Sequence, residues 1–245
     1  MVRKLNKVVL ITGASRGIGR AIAIEFAKNN FDIIINYLNS EDKAIELKGE
    51  IEAKYKVSCL LVKADISNED DVKEMFKNIG NSFKSIDVLV NNASIAIDAV
   101  LIDKSIDSFK RVLDVNLIGT FLVSKFVKEF MNEGSIINIS STNGIDTYYP
   151  YSMDYDASKA GVINLTKNFA LEYAPSIRVN TVAPGWVDTD MNKELDNDFV
   201  KEETDKILLN RFAIPSEIAK VVYFLASEDA SYINGTVIRV DGGVK

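Results

Sequence analysis

The sequence predicts an α/β fold: one doubly wound domain over residues 1–245, with a seven-stranded parallel sheet flanked by helices. Three observations predict it. Short β-rich apolar runs alternate with longer segments of helical period, which is the pattern of repeated βα units. Runs such as Val8-Val9-Leu10-Ile11 and Ile33-Ile34-Ile35 are apolar at successive positions, so both faces of those strands are covered, as in a sheet between two helical layers. No linker, low-complexity stretch or internal repeat interrupts the alternation.

The strands are expected over 8–12, 33–37, 57–64, 86–90, 135–140, 177–182 and 236–240, and the helices over 17–29, 41–55, 69–83, 105–131, 158–173 and 215–226. Ser67-Asn68 ahead of Glu69, Asp70 and Asp71 places capping side chains and negative charge at the positive end of a helix dipole. Pro215 sits where a proline suits a first helical turn. The one long segment without a clear period, about 188–210, is read as a substrate lid.

Composition narrows the chemistry. The chain has 29 Lys plus Arg against 35 Asp plus Glu, a net charge of −6, and no histidine. Ser-His-Asp triads, His-ligated metals and imidazole bases are therefore excluded, and no metal site is expected. The acidic balance, with no cluster of basic residues, argues against nucleic-acid and anionic-membrane binding. The apolar run at 8–11 is far shorter than the ~18 residues of a membrane span, so neither a signal peptide nor an anchor is expected. The single cysteine, Cys59, lies in an apolar run, reads as a buried thiol and points to a reducing compartment, the cytoplasm.

The first strand runs into Thr12-Gly13-Ala14-Ser15-Arg16-Gly17-Ile18-Gly19 and then a helix. Glycines permit positive φ and close backbone approach, and free N–H groups at a helix start hold a pyrophosphate. A tight helix–sheet turn is the plainer alternative for such a cluster; its place after the first strand favours the nucleotide. In dinucleotide folds an acidic side chain ending the second strand binds the ribose 2'-OH. Here that strand ends Ile35-Asn36-Tyr37-Leu38-Asn39-Ser40, with no carboxylate before Glu41. Arg16 can pair with a 2'-phosphate and Asn36 or Ser40 can donate to it, so NADP(H) is preferred over NAD(H).

Tyr155 and Lys159 stand at i and i+4, on one face if a helix begins there. A phenol of pKa about 10 needs about 3 units of help to exchange protons near pH 7. A lysine charge ~5 Å away supplies roughly 3 kcal/mol of it, and an oxidised nicotinamide adds a second positive charge.

These motifs together resemble the short-chain dehydrogenase/reductase family over nearly the whole chain, which implies a Rossmann fold and hydride transfer between nicotinamide and a carbonyl or secondary alcohol. Thr12-Gly13 through Gly17-Ile18-Gly19 resembles the family's cofactor turn. Asp65 with Ile66 resembles the adenine contact, and Asn91-Asn92-Ala93 the motif ending the fourth strand. Asn116 is similar to the helix asparagine that supports a proton-relay water, and Ser141, Tyr155 and Lys159 to the catalytic trio. Pro184-Gly185-Trp186-Val187-Asp188-Thr189 is similar to the nicotinamide-carboxamide segment, with the Val187 backbone and the Thr189 side chain as contacts. Taken singly, Asp65 reads as a helix cap and Asn116 as a buried hydrogen-bonding side chain; the ordered set reverses both readings.

Two departures stand out. Ser94 replaces the family's usual glycine, which should crowd the cofactor edge slightly. Ser141 is 14 residues before Tyr155, one more than usual; Gly144 favours Ser141 over Ser140 or Thr142. The pattern is closest to 3-oxoacyl-carrier-protein reductases, through Asn36-Tyr37, Asn234-Gly235-Thr236 and Asp241-Gly242-Gly243. The resemblance thus implies a small ketone or acyl-thioester substrate and a homotetramer; Phe121, Phe126, Val162 and Phe169 are compatible with its contacts, packing on the sheet being their plainer reading. Walls of Tyr148, Tyr149, Tyr151, Met153, Met191, Leu195 and Phe199 suit an apolar or amphipathic ketone. The acidic segment 193–206 opposes docking of an acidic carrier protein. A nucleotide-sensing regulatory protein and a methyl-transfer enzyme are the competing readings; the intact Ser141, Tyr155 and Lys159 disfavour both.

Overall fold

The computed structural model describes residues 6–189 and 195–244. Seven strands form one sheet: β1 (Val8–Ile11), β2 (Asp32–Tyr37), β3 (Cys59–Lys63), β4 (Val88–Asn91), β5 (Gly134–Ile139), β6 (Ile177–Pro184) and β7 (Val237–Val240). Every pairing is parallel and the order is β3-β2-β1-β4-β5-β6-β7. The register places Ile11 beside Ile35 on one side and Val90 on the other. From β1 the strands are laid down first to one side, as β2 and β3, and then to the other, as β4 to β7, so the loops leaving the C-terminal ends of β1 and β4 diverge and open a crevice there.

The apolar runs are covered on both faces, as their composition requires. On one side Val9, Ile11, Ile33 and Ile35 pack on Ile22 and Phe26 of α1 (Gly17–Lys28), Leu47 and Ile51 of α2 (Glu41–Tyr55) and Val222 of α8 (Pro215–Ala226). On the other, Leu10, Ile34 and Leu89 meet Val72 and Met75 of α3 (Glu69–Gly80) and Val123 and Val127 of α5 (Gly119–Val127). Asn68 caps α3 through its Oδ1, which accepts from the N–H groups of Asp70 and Asp71.

Three elements depart from the sequence expectation. The helix expected over 105–131 is α4 (Ile106–Leu113) followed by a π turn (Asp114–Ile118) and then α5. The helix expected from 158 begins earlier, as α6 (Met153–Glu172), which places Tyr155 in its first turn. Within the expected lid lies α7 (Asn197–Asp205), capped by Asp196; Met191 lies outside the described residues.

Beneath α5 and α6 runs a buried polar seam. Asn91 Nδ2 donates to Ser124 Oγ at 2.9 Å and to Asn138 Oδ1 at 2.8 Å, Asn138 Nδ2 donates to Thr166 Oγ1 at 2.8 Å, and Thr166 meets Thr181 at 2.6 Å. The seam fixes α6 on β5 and β6, and so fixes the strand ends beside Tyr155. Replacing Asn138→Ala orphans a donor on Asn91, and urea denaturation should show a loss of about 2–3 kcal/mol.

Candidate active site

The crevice is a cleft of about 880 Å³ along the C-terminal ends of the strands. Its walls include Gly13, Ser15, Arg16, Gly17, Ile18, Asn36, Asp65, Ile66, Asn92, Ala93, Ser141, Tyr155, Lys159, Pro184, Gly185, Val187 and Thr189. The topology thus gathers into one cleft residues that span nearly the whole chain. Gly19 and Asn116 stand behind the wall rather than in it.

The glycine turn leaves room where a nucleotide needs it. Gly13 has φ +62°, and a Cβ there would come 2.8 Å from Ala93 Cα. A Cβ on Gly19 would strike the Gly13 carbonyl and stand 2.6 Å from Asn92 Nδ2. Asn92 ties the turn to β4 by donating to the carbonyls of Thr12 at 3.0 Å and Gly13 at 3.1 Å. No side chain caps α1, whose N-cap is Arg16. Its first N–H groups and dipole therefore face the cleft. These features fit a dinucleotide. Ser94 also lines the cleft. Among described non-glycine residues only Asn30, Lys56 and Asn210 have positive φ, so the serine is unstrained.

At the ribose end one expectation changes. Asn36 is buried; its Oδ1 accepts from Gly13 N–H at 3.3 Å and its Nδ2 donates to the carbonyls of Val62 and Ala64, each at 3.3 Å. Its amide nitrogen is thus taken up by the backbone instead of facing a phosphate. Arg16 and Ser40 remain as side-chain donors there, and the Glu41 carboxylate accepts from Tyr37 Oη at 3.1 Å.

Asp65 accepts from Ser67 N–H at 3.0 Å, Ser67 Oγ at 2.6 Å and Arg111 Nη2 at 2.9 Å. Burial works to raise its pKa, but these donors outweigh it and hold the carboxyl below the usual carboxylate range. Arg111 lines the cleft beside it. The sequence singled out neither Arg111 nor this pairing, because α4 meets the end of β3 only through the tertiary fold.

The reacting end lies where α6 meets β5. Lys159 Nζ donates to the Ile139 carbonyl at 2.9 Å and sits 5.3 Å from the centre of the Tyr155 ring. Burial pushes its ammonium down to about 7. Burial pushes the Tyr155 phenol up to about 12; the facing Ser141 hydroxyl lowers it and the Asp156 charge raises it further. The sequence expectation of a phenol acidified by the lysine is thus not met by the protein's own groups: burial is the largest influence and it acts upward.

Of the three hydroxyls considered, Ser140 donates to the Lys159 carbonyl at 2.8 Å and is thus committed to α6. Ser141 lines the cleft with Tyr155, and its hydroxyl lowers the phenol's pKa. Gly144 permits this, since a Cβ there would fall 2.6 Å from the backbone of Lys159. Asn116 lies in the π turn, buried; its Oδ1 accepts from Ile95 N–H at 2.9 Å, and its Nδ2 donates to the Ile95 carbonyl at 2.9 Å and Ser158 Oγ at 3.0 Å. It clamps the loop after β4 to α6.

On the substrate side, Tyr148, Tyr149, Trp186, Leu195 and Phe199 line the cleft, whereas Tyr151 and Met153 do not, Tyr151 packing edge-on against Tyr149 at 5.3 Å. Trp186 stacks on Phe212 at 5.5 Å and donates to Glu203 Oε2 at 2.9 Å, which anchors α7 over the opening. Asp98 and Asn143, both unforeseen, also face it. Among the described residues no group of His, Cys, Asp and Glu is placed to hold a metal, and no helix is long and apolar enough to cross a membrane.

A parallel sheet crossed at a glycine turn, with Tyr and Lys one helical turn apart at its edge, defines a nicotinamide-dependent oxidoreductase site. The chain belongs to the short-chain dehydrogenase/reductase family: a family model described as enoyl-(acyl carrier protein) reductase matches residues 13–245. It is 42% identical over 244 residues to a 3-oxoacyl-[acyl-carrier-protein] reductase of Staphylococcus epidermidis, covering 98% of this chain and 99% of that one. With the protein of the same description from Aquifex aeolicus the identity is 41% over 249 residues, covering 99% of each. Among solved structures, the 3-oxoacyl-[acyl-carrier protein] reductase of Brucella melitensis matches with a TM-score of 0.91 and 33% identity, covering 97% of this chain and 91% of that one.

Lys159 makes the site costly. Between about pH 7 and 10.5 the unfolded chain keeps the lysine proton that the folded one gives up, so the native state gains stability as pH rises through that window. Lys159→Met should raise Tm at pH 7 by about 3–6 °C, at roughly 2–4 °C per kcal/mol, and the gain should shrink towards pH 10 in calorimetric scans.

Proposed function

We propose that this chain is an NADPH-dependent reductase of the ketone in a 3-oxoacyl thioester, working through Tyr155, Lys159 and Ser141. The observation that carries this is the convergence of Tyr155, the buried Lys159 and Ser141 at the aromatic end of the cleft that the glycine turn opens. The relatives' descriptions support the thioester. A bound reduced nicotinamide supplies the hydride. Tyr155 gives its proton to the substrate oxygen, Ser141 holds that oxygen, and Lys159 steadies the phenolate left behind, which regains a proton from water. Asn116 acts at one remove, through the loop carrying Ile95 and through Ser158.

Asp65 and Ile66 take the adenine end, Gly13 to Gly19 with Ser15 and Ile18 the pyrophosphate, and Asn92, Ala93, Pro184, Gly185, Val187 and Thr189 the nicotinamide end. NADPH is preferred because Arg16 makes no ion pair among the described residues and no free carboxylate faces the ribose. Arg16→Ala should weaken NADPH binding about tenfold or more in calorimetry and leave NADH almost unchanged.

A second reading concerns the carrier of the acyl group. Residues 197–206 carry Asp198, Glu202, Glu203 and Asp205 against Lys201 and Lys206, which disfavours an acidic carrier protein at the mouth. A thioester or ketone without such a carrier suits this rim better. A homotetramer is part of the same proposal: Phe121 is exposed on α5 and Leu171 on α6, whereas Val162 and Phe169, considered as contacts, are buried in the chain itself. Tyr155→Phe should cut ketone reduction at least ~1,000-fold while NADPH affinity stays within about twofold; a variant with normal turnover would sink the assignment.

A further inference from the structure

Tyr155 lies between two carboxylates on α6, and the second controls more than the fold. Asp156 Oδ1 accepts from Asn143 Nδ2 at 2.7 Å, and its Oδ2 accepts from Tyr149 N–H at 3.0 Å. An ionised carboxylate only accepts, so the Asn143 amide is turned with its NH2 towards Asp156 and its Oδ1 towards Ser141. Ser141 Oγ donates its one proton to that Oδ1 at 3.1 Å and accepts from Asn143 N–H at 3.2 Å. In this arrangement the Ser141 proton is committed to Asn143, while the serine hydroxyl stands within reach of the Tyr155 phenol, whose pKa it lowers.

We propose that Asp156 and Asn143 are positioning residues that park the Ser141 proton away from Tyr155, and so bias the site towards giving a proton to a ketone rather than taking one from an alcohol. This rests on Ser141 and Tyr155 being the reacting pair. In reduction the Tyr155 O–H bond breaks and a new O–H bond forms on the substrate oxygen, while the carbonyl carbon receives the hydride from NADPH. Only when negative charge appears on the substrate or phenol oxygen does Ser141 turn its proton from Asn143 to that oxygen.

Other charges near the phenol are arranged in ways that leave this control to Asp156. On its own helix Asp154 is paired with Lys104 from the loop after β4, at 3.0 Å. Glu203 on α7 is paired with Lys206 at 2.7 Å. Lys159, Asp98 and Tyr149 complete the set and are left intact by the substitutions below.

The substitution Asp156→Asn forces a choice. The new amide must offer an oxygen to Tyr149 N–H, so its NH2 faces Asn143, whose own amide then flips and presents NH2 to Ser141. The Ser141 proton is driven towards the phenol oxygen, and a negative charge is lost beside it; both favour the phenolate. The reciprocal pair Asn143→Asp with Asp156→Asn restores the contacts to Ser141 and Tyr149 and between the pair itself, with the charge moved inward to position 143, and gives up only the long Ser152 Oγ contact at 3.4 Å.

The experiment is the pH dependence of kcat and kcat/KM for ketone reduction, with alcohol oxidation at neutral pH and NADPH calorimetry alongside. In Asp156→Asn the basic limb of reduction should fall by about one pH unit, with oxidation at neutral pH raised and KM and NADPH affinity within about threefold. The reciprocal double variant should return the limb to the wild-type position or above. Should Asp156→Asn not fold, Asn143→Leu removes the whole amide, both the oxygen that accepts from Ser141 and the NH2 that donates to Asp156, and by freeing the Ser141 proton must move the limb in the same direction. A limb that stays in place in a folded, NADPH-binding variant, or that stays low in the double variant, overturns the inference. With Tyr155→Phe inactive, that failure leaves the reductase reading standing; with Tyr155→Phe active, the reductase reading itself falls.

Discussion

Both walls of the cleft hang on the first turn of α6. Asp154 takes the Lys104 ammonium at 3.0 Å through each of its oxygens, and Lys104 also donates to the Ile97 carbonyl, so the loop after β4 is tied to the helix start. Both partners of this ion pair are almost wholly buried, which makes the loss of either one far costlier than a surface pair. Asp156 does the same for the loop after β5, through Asn143 and Tyr149. Tyr155 lies between the two anchors. Its position relative to the cleft floor is therefore set by charge-assisted bonds rather than by loop packing, and these are the contacts that keep geometry within the tolerance proton transfer demands.

The same turn shows what the sequence could and could not reveal. Short β-rich and unbroken apolar runs placed the ends of all seven strands to within two residues, because burial on both faces selects such runs. The helix start was placed five residues late. Met153-Asp154-Tyr155-Asp156 carries two acids and two bulky side chains, which read locally as loop, whereas its acids are consumed by partners 50 and 13 residues away. The π turn at Asp114–Ile118 was equally hidden, since it arises from Asn116 reaching Ile95 and Ser158 rather than from any local breaker.

Spacing and order singled out Tyr155, Lys159 and the glycine turn, each by a chemical need local to its own element, and the fold brings all three to one cleft. Arg111, Asn143 and Asp98 were invisible for the opposite reason: each has meaning only through a side chain brought near by the sheet. Asn36 is the instructive reversal. At a strand end it looks free to meet a phosphate, yet the parallel register sets it beside Val62, and its amide is taken by the carbonyls of Val62 and Ala64.

The absence of histidine gives these placements their significance. An unperturbed imidazole already titrates near neutrality; a phenol and an ammonium do not. Burial here moves the two in opposite directions, the phenol up to about 12 and the ammonium down to about 7. A desolvated lysine is an expensive residue for a fold to keep, and a phenol pushed upward cannot by itself become a base. Together they make sense if the resting site stores a proton on Tyr155 and keeps Lys159 ready to gain charge when the phenolate forms, which is the order of events in reduction. Oxidation would have to begin from the phenolate, the state that burial and Asp156 both oppose, so the same groups that hold the cleft together also set the direction in which it works most readily.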